Sequence, residues 1–173
     1  MLNKLMLLAV FLMGSSSMCP ASSLIADLKN SSIQFNVSYG IGYTIGYFGK
    51  FTATSETDGD KIISAKAAID IDSVNSHNSL RDDSLRSSLF FDAAKFPQAT
   101  FESTAVAGDQ MTGNLTIKGI TKPITLTVGL NQGVFTAKGT FDRNDFGINF
   151  NKELGNHEKA IGDKVDLTVS LRA

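Results

Sequence analysis

The sequence predicts an all-β protein, an eight-stranded antiparallel barrel with one short helix between its third and fourth strands. Three observations carry that prediction. Runs of alternating apolar and polar residues recur along the chain. Successive side chains of a strand face opposite sides of its sheet, so each run builds one greasy face and one wet face. Turn-forming pairs separate the runs, as sequential hairpins require. No long amphipathic stretch is available to cover a greasy face, so that face must be buried against itself, by closing a barrel or stacking two sheets.

The elements follow in order. Strand 32–39 sends Ile33, Phe35, Val37 and Tyr39 one way and Ser32, Gln34, Asn36 and Ser38 the other. Around the second strand, 43–56, stand Gly40, Gly42, Gly46 and Gly49. Interior glycines mark bulges and corners, which barrel closure needs. Their spacing misses G-x-G-x-x-G and no helix follows, so they form no phosphate cradle. Asp58-Gly59 turns the chain into strand 61–72, whose inward set is Ile63, Ala65, Ala67, Ile69 and Ile71. Residues 76–96 break the rhythm: Leu80, Leu85 and Leu89 recur near helical spacing, and Arg81, Asp82, Asp83 and Arg86 supply a charged face. A short helix that laps one barrel mouth fits this pattern, with Pro97 marking the return to strand. Strands 98–106 and 110–118 meet at Gly108-Asp109, and strands 122–131 and 133–141 at Gln132-Gly133. The alternation resumes in Ile124, Leu126, Val128 and Leu130, and in Val165, Leu167, Val169 and Leu171 of strand 163–172. The connection 142–162, with Phe146, Ile148, Phe150 and Leu154, is long for a compact domain and suits a lid or rim.

A chain of 173 residues, 42% hydrophobic and 19% charged, is the size and composition of one globular domain. Its net charge of −1 and scattered basic residues exclude a nucleic-acid footprint. The first residues differ from the rest: Lys4, an apolar run from Leu5 to Met13, then Gly14 and three serines. That is the pattern of a signal peptide over 1–21, cleaved after Ala21 or Ser23, with 22–173 as the mature domain. The run is too short to span a bilayer and no later segment is apolar enough, so no transmembrane segment is expected. Cys19 is the only cysteine. A lipidation site wants Leu at −3 and Ala or Gly at −1, where this chain has Ser16 and Met18. Cys19 is therefore expected to leave with the leader, and no disulfide framework exists.

Catalytic chemistry is thin. His77 and His157 stand far apart in loops, and no Cys or His cluster offers the three or four ligands of a zinc site. No G-x-S-x-G elbow occurs, and Asp145-Phe146-Gly147 lacks every other kinase feature. The aromatics are more telling: twelve phenylalanines and no tryptophan. Parity turns Phe35, Phe51, Phe101, Phe135 and Phe141 inward, with Phe90, Phe91, Phe146 and Phe150 near the ends. Many inward partners are small (Ala65, Ala67, Ala137, Gly113, Gly139), which leaves space beside the rings. An eight-stranded barrel is just wide enough to fill itself or to hold one small ligand. Packed core and container both stay open on these grounds.

Asn78-Ser-Leu-Arg81-Asp82-Asp83-Ser-Leu85-Arg86-Ser87-Ser-Leu-Phe90-Phe91-Asp92, continuing through Lys95-Phe-Pro97 to Phe101, resembles the signature of the YceI-like family. Gly113 to Pro123, Arg143-Asn-Asp145-Phe146-Gly147 and the opening Ser31 to Val37 agree in order and spacing. The chain departs from the family pattern at Asn30, Tyr39 and Ser84, where members often carry His. The resemblance implies a lipocalin-like barrel of a bacterial periplasmic or secreted protein, which binds a polyisoprenoid or other long-chain amphiphilic lipid without being an enzyme or needing a cofactor. The lining it implies is Phe35, Val37, Phe51, Ile69, Phe90, Phe101, Leu115, Ile117, Leu126, Val128, Phe135, Phe141 and Phe146. Tyr39, Arg81, Arg86 and Arg143 are the head-group candidates at the rim, since cations suit phosphate or quinone oxygens. Arg81 and Arg86 have a competing role, pairing with Asp82, Asp92 or Asp145 to hold the helix. Two other functions are weighed beside lipid carriage: an enzyme acting on a bound isoprenoid through Asp82, Asp83 or His77, and a solid-cored barrel that binds partners on its outside. A homodimer is left open.

Overall fold

A computed structural model describes residues 22–149 and 161–172. The leader with Cys19, and Phe150, Leu154 and His157 of the long connection, lie outside the described residues. Strands β1 (Ser22–Ile25), β2 (Ser32–Tyr39), β3 (Gly42–Phe48), β4 (Phe51–Asp58), β5 (Lys61–Asp70) and β6 (Val74–Asn75) precede helix α1 (Ser79–Arg86). After it come β7 (Gln98–Ala107), β8 (Gln110–Ile117), β9 (Ile120–Asn131), β10 (Val134–Asp142) and β11 (Ile161–Arg172). They form one curled antiparallel sheet in the order β1-β4-β5-β7-β8-β9-β10-β11-β2-β3-β6.

The expected eight strands are all present, but the sheet counts 11 because one of them bends and two short ones are added. The predicted strand 43–56 is β3 and β4, which turn a corner at Gly49-Lys50 and lie toward opposite ends of the sheet order. β3 pairs with β2, and β4 with β5, so the bent strand brings the two sides of the sheet together. Bonds from Gly49 N to Ser73 O (3.1 Å) and from Asp70 N to Lys50 O (3.0 Å) stitch the corner. The added strand β1 runs along β4, and Leu24 and Ala26 lie beside Phe135 and Leu171 at one end of the barrel.

Turn chemistry fixes the register. Gly59, Gly108 and Gly133 each take a positive φ in the hairpins the sequence marked. Parity breaks at two bulges. In β7 the register slips between Ser103 and Ala105, so Val106 packs on the core while Ala105 is exposed. Between Glu56 and Thr57 the β4–β5 register slips, so Ile63 is the extra residue of a bulge and faces out, while Ile62 packs on the core.

The small inward residues do not all leave space. A Cβ at Gly46 would lie 2.2 Å from Cζ of Phe35, and one at Gly113 would lie 2.4 Å from Cζ of Phe101. Those rings therefore lie flush on bare backbone, and so does the Leu126 side chain on Gly139. Gly46→Ala is expected to force Phe35 aside and cost about 1–3 kcal/mol of stability. Its urea midpoint should fall; a midpoint equal to wild type would mean the ring moves freely.

Helix α1 laps one mouth as anticipated, but its buried face is Asp82 and Leu85, with Leu80 and Leu89 exposed. Just beyond it, Phe91 meets Phe48 (centroids 6.0 Å apart) and Phe35 (6.4 Å) edge-on. These contacts anchor the segment that follows the helix to the barrel wall.

Candidate functional site

The inward faces of the strands enclose a cavity of about 140 Å³ whose exposed wall is entirely apolar. Of the predicted lining, Phe35, Val37, Ile69, Phe90, Phe101, Leu115, Ile117, Leu126, Phe135 and Phe141 face it. Ala65, Ala67 and Ala137 face it too, and the glycines that Phe35 and Phe101 press on do not. Ile33, Phe48, Phe91 and Ile161 complete much of the wall and lie outside the predicted set. Phe91 is visible in the sequence as an aromatic near an end; the contribution of Ile161 has no sequence signal.

Three predicted lining residues are elsewhere. Phe51 and Val128 are buried but do not reach the cavity. Phe146, 1% exposed, stands edge-on to Phe141 at 5.4 Å and backs the wall without forming it. It sits in a 3₁₀ turn, Arg143–Phe146, beside the stretch where β9 and β10 part: their ladder ends at Thr127 and Lys138, short of Asp142. Parity gives the side of a sheet, and cannot say whether a neighbour already fills the room there.

The rim candidates divide. Arg81 donates from Nε to Ser76 Oγ and from Nη2 to Ser76 O, both at 2.8 Å. Ser76 in turn donates its N–H (2.7 Å) and Oγ–H (2.6 Å) to the buried Asp82 carboxylate. Arg86 donates to Asp72 O (3.0 Å) and Val74 O (2.9 Å) and pairs with Asp83 at 3.2 Å. Both arginines therefore hold the helix, but through backbone and serine oxygens and Asp83, where the expected partners were Asp82, Asp92 or Asp145. Lys118 Nζ donates to Ser88 O at 3.1 Å and ties the following loop to the β8–β9 turn.

Arg143 is no open rim residue; it is 3% exposed. Its guanidinium donates to the carbonyls of Gly162 (2.8 Å), Ile161 (3.2 Å) and Ile148, and to Asp163 at 3.2 Å. Because the exposed wall is wholly apolar, only its methylene stem faces the cavity. The five-donor fork of arginine suits this task, binding together two segments that flank the long connection. Tyr39 is exposed at the end of β2, in register with the cavity-lining Ile161.

Asp142 caps the turn that carries Arg143. Partial burial pushes its carboxyl up, but bonds from the N–H and side-chain amide of Asn144, and the nearby Lys164 ammonium at 3.4 Å, outweigh burial and hold it below its ordinary value. A lowered folded value contributes stability that is present above the unfolded carboxylate value of about 3.9 and lost as pH falls through the folded one. Asp142→Asn should therefore lose less stability than wild type between neutral pH and pH values below about 4, measured by urea unfolding. Parallel acid limbs would refute it.

Among the described residues nothing catalytic converges on the cavity. Asp82 is consumed by Ser76, Asp83 is exposed beside Arg86, and His77 stacks edge-on to Tyr47 at 5.8 Å; none lines the bore. Among the described residues no group of His, Cys, Asp and Glu could hold a metal, and no helix is long and apolar enough to cross a membrane.

Comparison with known proteins places this arrangement. A family model described as YceI-like domain matches residues 25–173. A UPF0312 protein of Shewanella denitrificans is 36% identical over 182 residues, covering 91% of this chain and 93% of the relative. The crystal structure of Burkholderia cenocepacia BcnA superposes with a TM-score of 0.73 at 29% identity, covering 84% of this chain and 98% of that one. A polyisoprenoid binding domain from Saccharophagus degradans, implicated in plant cell wall breakdown, gives 0.64 at 18% identity over 87% and 97%, a likeness of fold. The match to the family model spans the whole barrel, and the chain belongs to the YceI-like family.

Proposed function

We propose that the protein binds a long-chain isoprenoid or similar amphiphilic lipid with its tail in the bore, and carries or sequesters it unchanged. The observation that carries this reading is the 140 Å³ cavity, with no polar atom on its exposed wall among the described residues. An apolar cavity of about 150 Å³ stays dry and takes up benzene, so the bore at rest has room for about one prenyl unit. One such unit contributes roughly 3 kcal/mol, short of the association cost of about 4–15 kcal/mol. Useful affinity therefore needs a longer tail, and the bore must lengthen to take it.

Work in the periplasm or outside the cell suits this cargo, after removal of residues 1–21. Cleavage after Ala21 leaves β1 whole, with Ser22 Oγ bonded to Thr57 Oγ1 at 2.8 Å. Cleavage after Ser23 would remove half of that strand.

Native mass spectrometry of the protein purified from its own host tests the reading. A co-purifying prenyl lipid supports it. A clean apo mass, with no thermal shift on adding prenyl lipids, would leave the barrel as a partner-binding module.

A further inference from the structure

The β2–β3 hairpin continues the cavity wall outward and ends in an unusual tip. Val37 and Ile161 line the bore, Tyr39 pairs with Ile161, and the chain then reverses in a two-residue turn, Gly40-Ile41. Gly40 opens the turn at φ 56°, which glycine adopts without strain. The turn leaves Ile41 fully exposed at the apex, with Tyr39 and Tyr43 exposed on either side and Ile45 exposed below. Not one Asp, Glu, Lys or Arg occurs from Ser31 to Gly49.

We infer that this tip docks the protein on a lipid bilayer, seating Ile41 among the acyl chains and the two tyrosines at headgroup level. The inference rests on the lipid-carrier reading for its purpose, since a bilayer is where such a cargo resides. Its physical grounds are independent of that reading. A stable protein interface needs about 800 Å² from each partner, far more than one hairpin apex of three side chains supplies. An apex that enters a membrane needs only a small apolar point, and this one sinks no charge. Tyrosine, with an apolar ring and a polar tip, is the side chain that concentrates at membrane–water boundaries. Docking here would also set the lip of the bore, at Tyr39 and Ile161, against the membrane surface.

Because the chain has no tryptophan, Ile41→Trp gives a single depth reporter. The protein, purified as the cell matures it, is mixed with vesicles of phosphatidylethanolamine and phosphatidylglycerol. Emission from the introduced indole should shift to the blue and be quenched by lipids brominated along their chains. Ile41→Asp should partition onto the same vesicles at least about tenfold more weakly with an unchanged melting temperature, as expected for losing one buried aliphatic side chain. It should also slow uptake of a fluorescent prenyl lipid from vesicles while binding that lipid normally from detergent micelles. Indole emission that ignores vesicles overturns the inference, as does a blue shift produced only by a lipid-free protein fraction of the host envelope. Quenching by vesicles in a protein that binds no prenyl lipid from micelles would uphold docking and strike the carrier reading alone.

Discussion

Ala137→Phe is expected to abolish most lipid uptake while the barrel stays folded. Ala137 lies on β10, paired on both sides with β9 and β11, and its methyl faces the bore. The phenyl ring added there would occupy most of the 140 Å³ now empty. The lost room is about one prenyl unit, roughly 3 kcal/mol of burial, so affinity for a prenyl lipid should fall about a hundredfold. Filling a void costs less than overpacking a full core, so the melting temperature should stay close to wild type. Titration with a fluorescent prenyl lipid, read beside a thermal melt, separates the outcomes. Unaltered affinity in a folded variant would mean that the tail does not occupy this part of the bore.

Arg143→Ala should produce the largest loss of stability of any single change considered. The guanidinium satisfies three backbone carbonyls and the Asp163 carboxylate in a site that is 3% exposed. Removing one partner of a buried ionic network costs about 3–5 kcal/mol, because the other groups remain buried without their donors. For a domain of this size that corresponds to a fall of roughly 6–20 °C in melting temperature. Arg143→Lys keeps the charge but not the planar fork and should recover only a minor part. A melt within a degree or two of wild type for the alanine variant would show that water replaces the guanidinium at no cost.

Most of the architecture is legible in the sequence because a strand announces itself locally. Alternation names the inward residues of β2, β9 and β11, and glycine-bearing pairs name the hairpins. What escapes is whatever depends on two distant segments. Ile63 reads as inward in its own strand, and only the register against β4 makes it the odd residue of a bulge. Leu80 and Leu89 sit at helical spacing, yet a helix of eight residues rotates only Leu85 and Asp82 onto the barrel. Arg143 is charged and belongs, by its residue type, at a wet rim. Four acceptors from Ile148 and residues 161–163 draw it inside, and no pattern near position 143 reveals them.

Residue order alone suffices for an antiparallel sheet curled on its apolar face, with a helix at one mouth, and for the family to which the chain belongs. Those features follow from backbone geometry and from contacts between near neighbours. Which inward side chains touch empty space is settled only when the strands come together. Phe35 and Phe101 press on glycines contributed by the next strand, whereas Ala65, Ala67 and Ala137 border the cavity. A void is the volume that side chains from all strands fail to fill together, so no single strand encodes it.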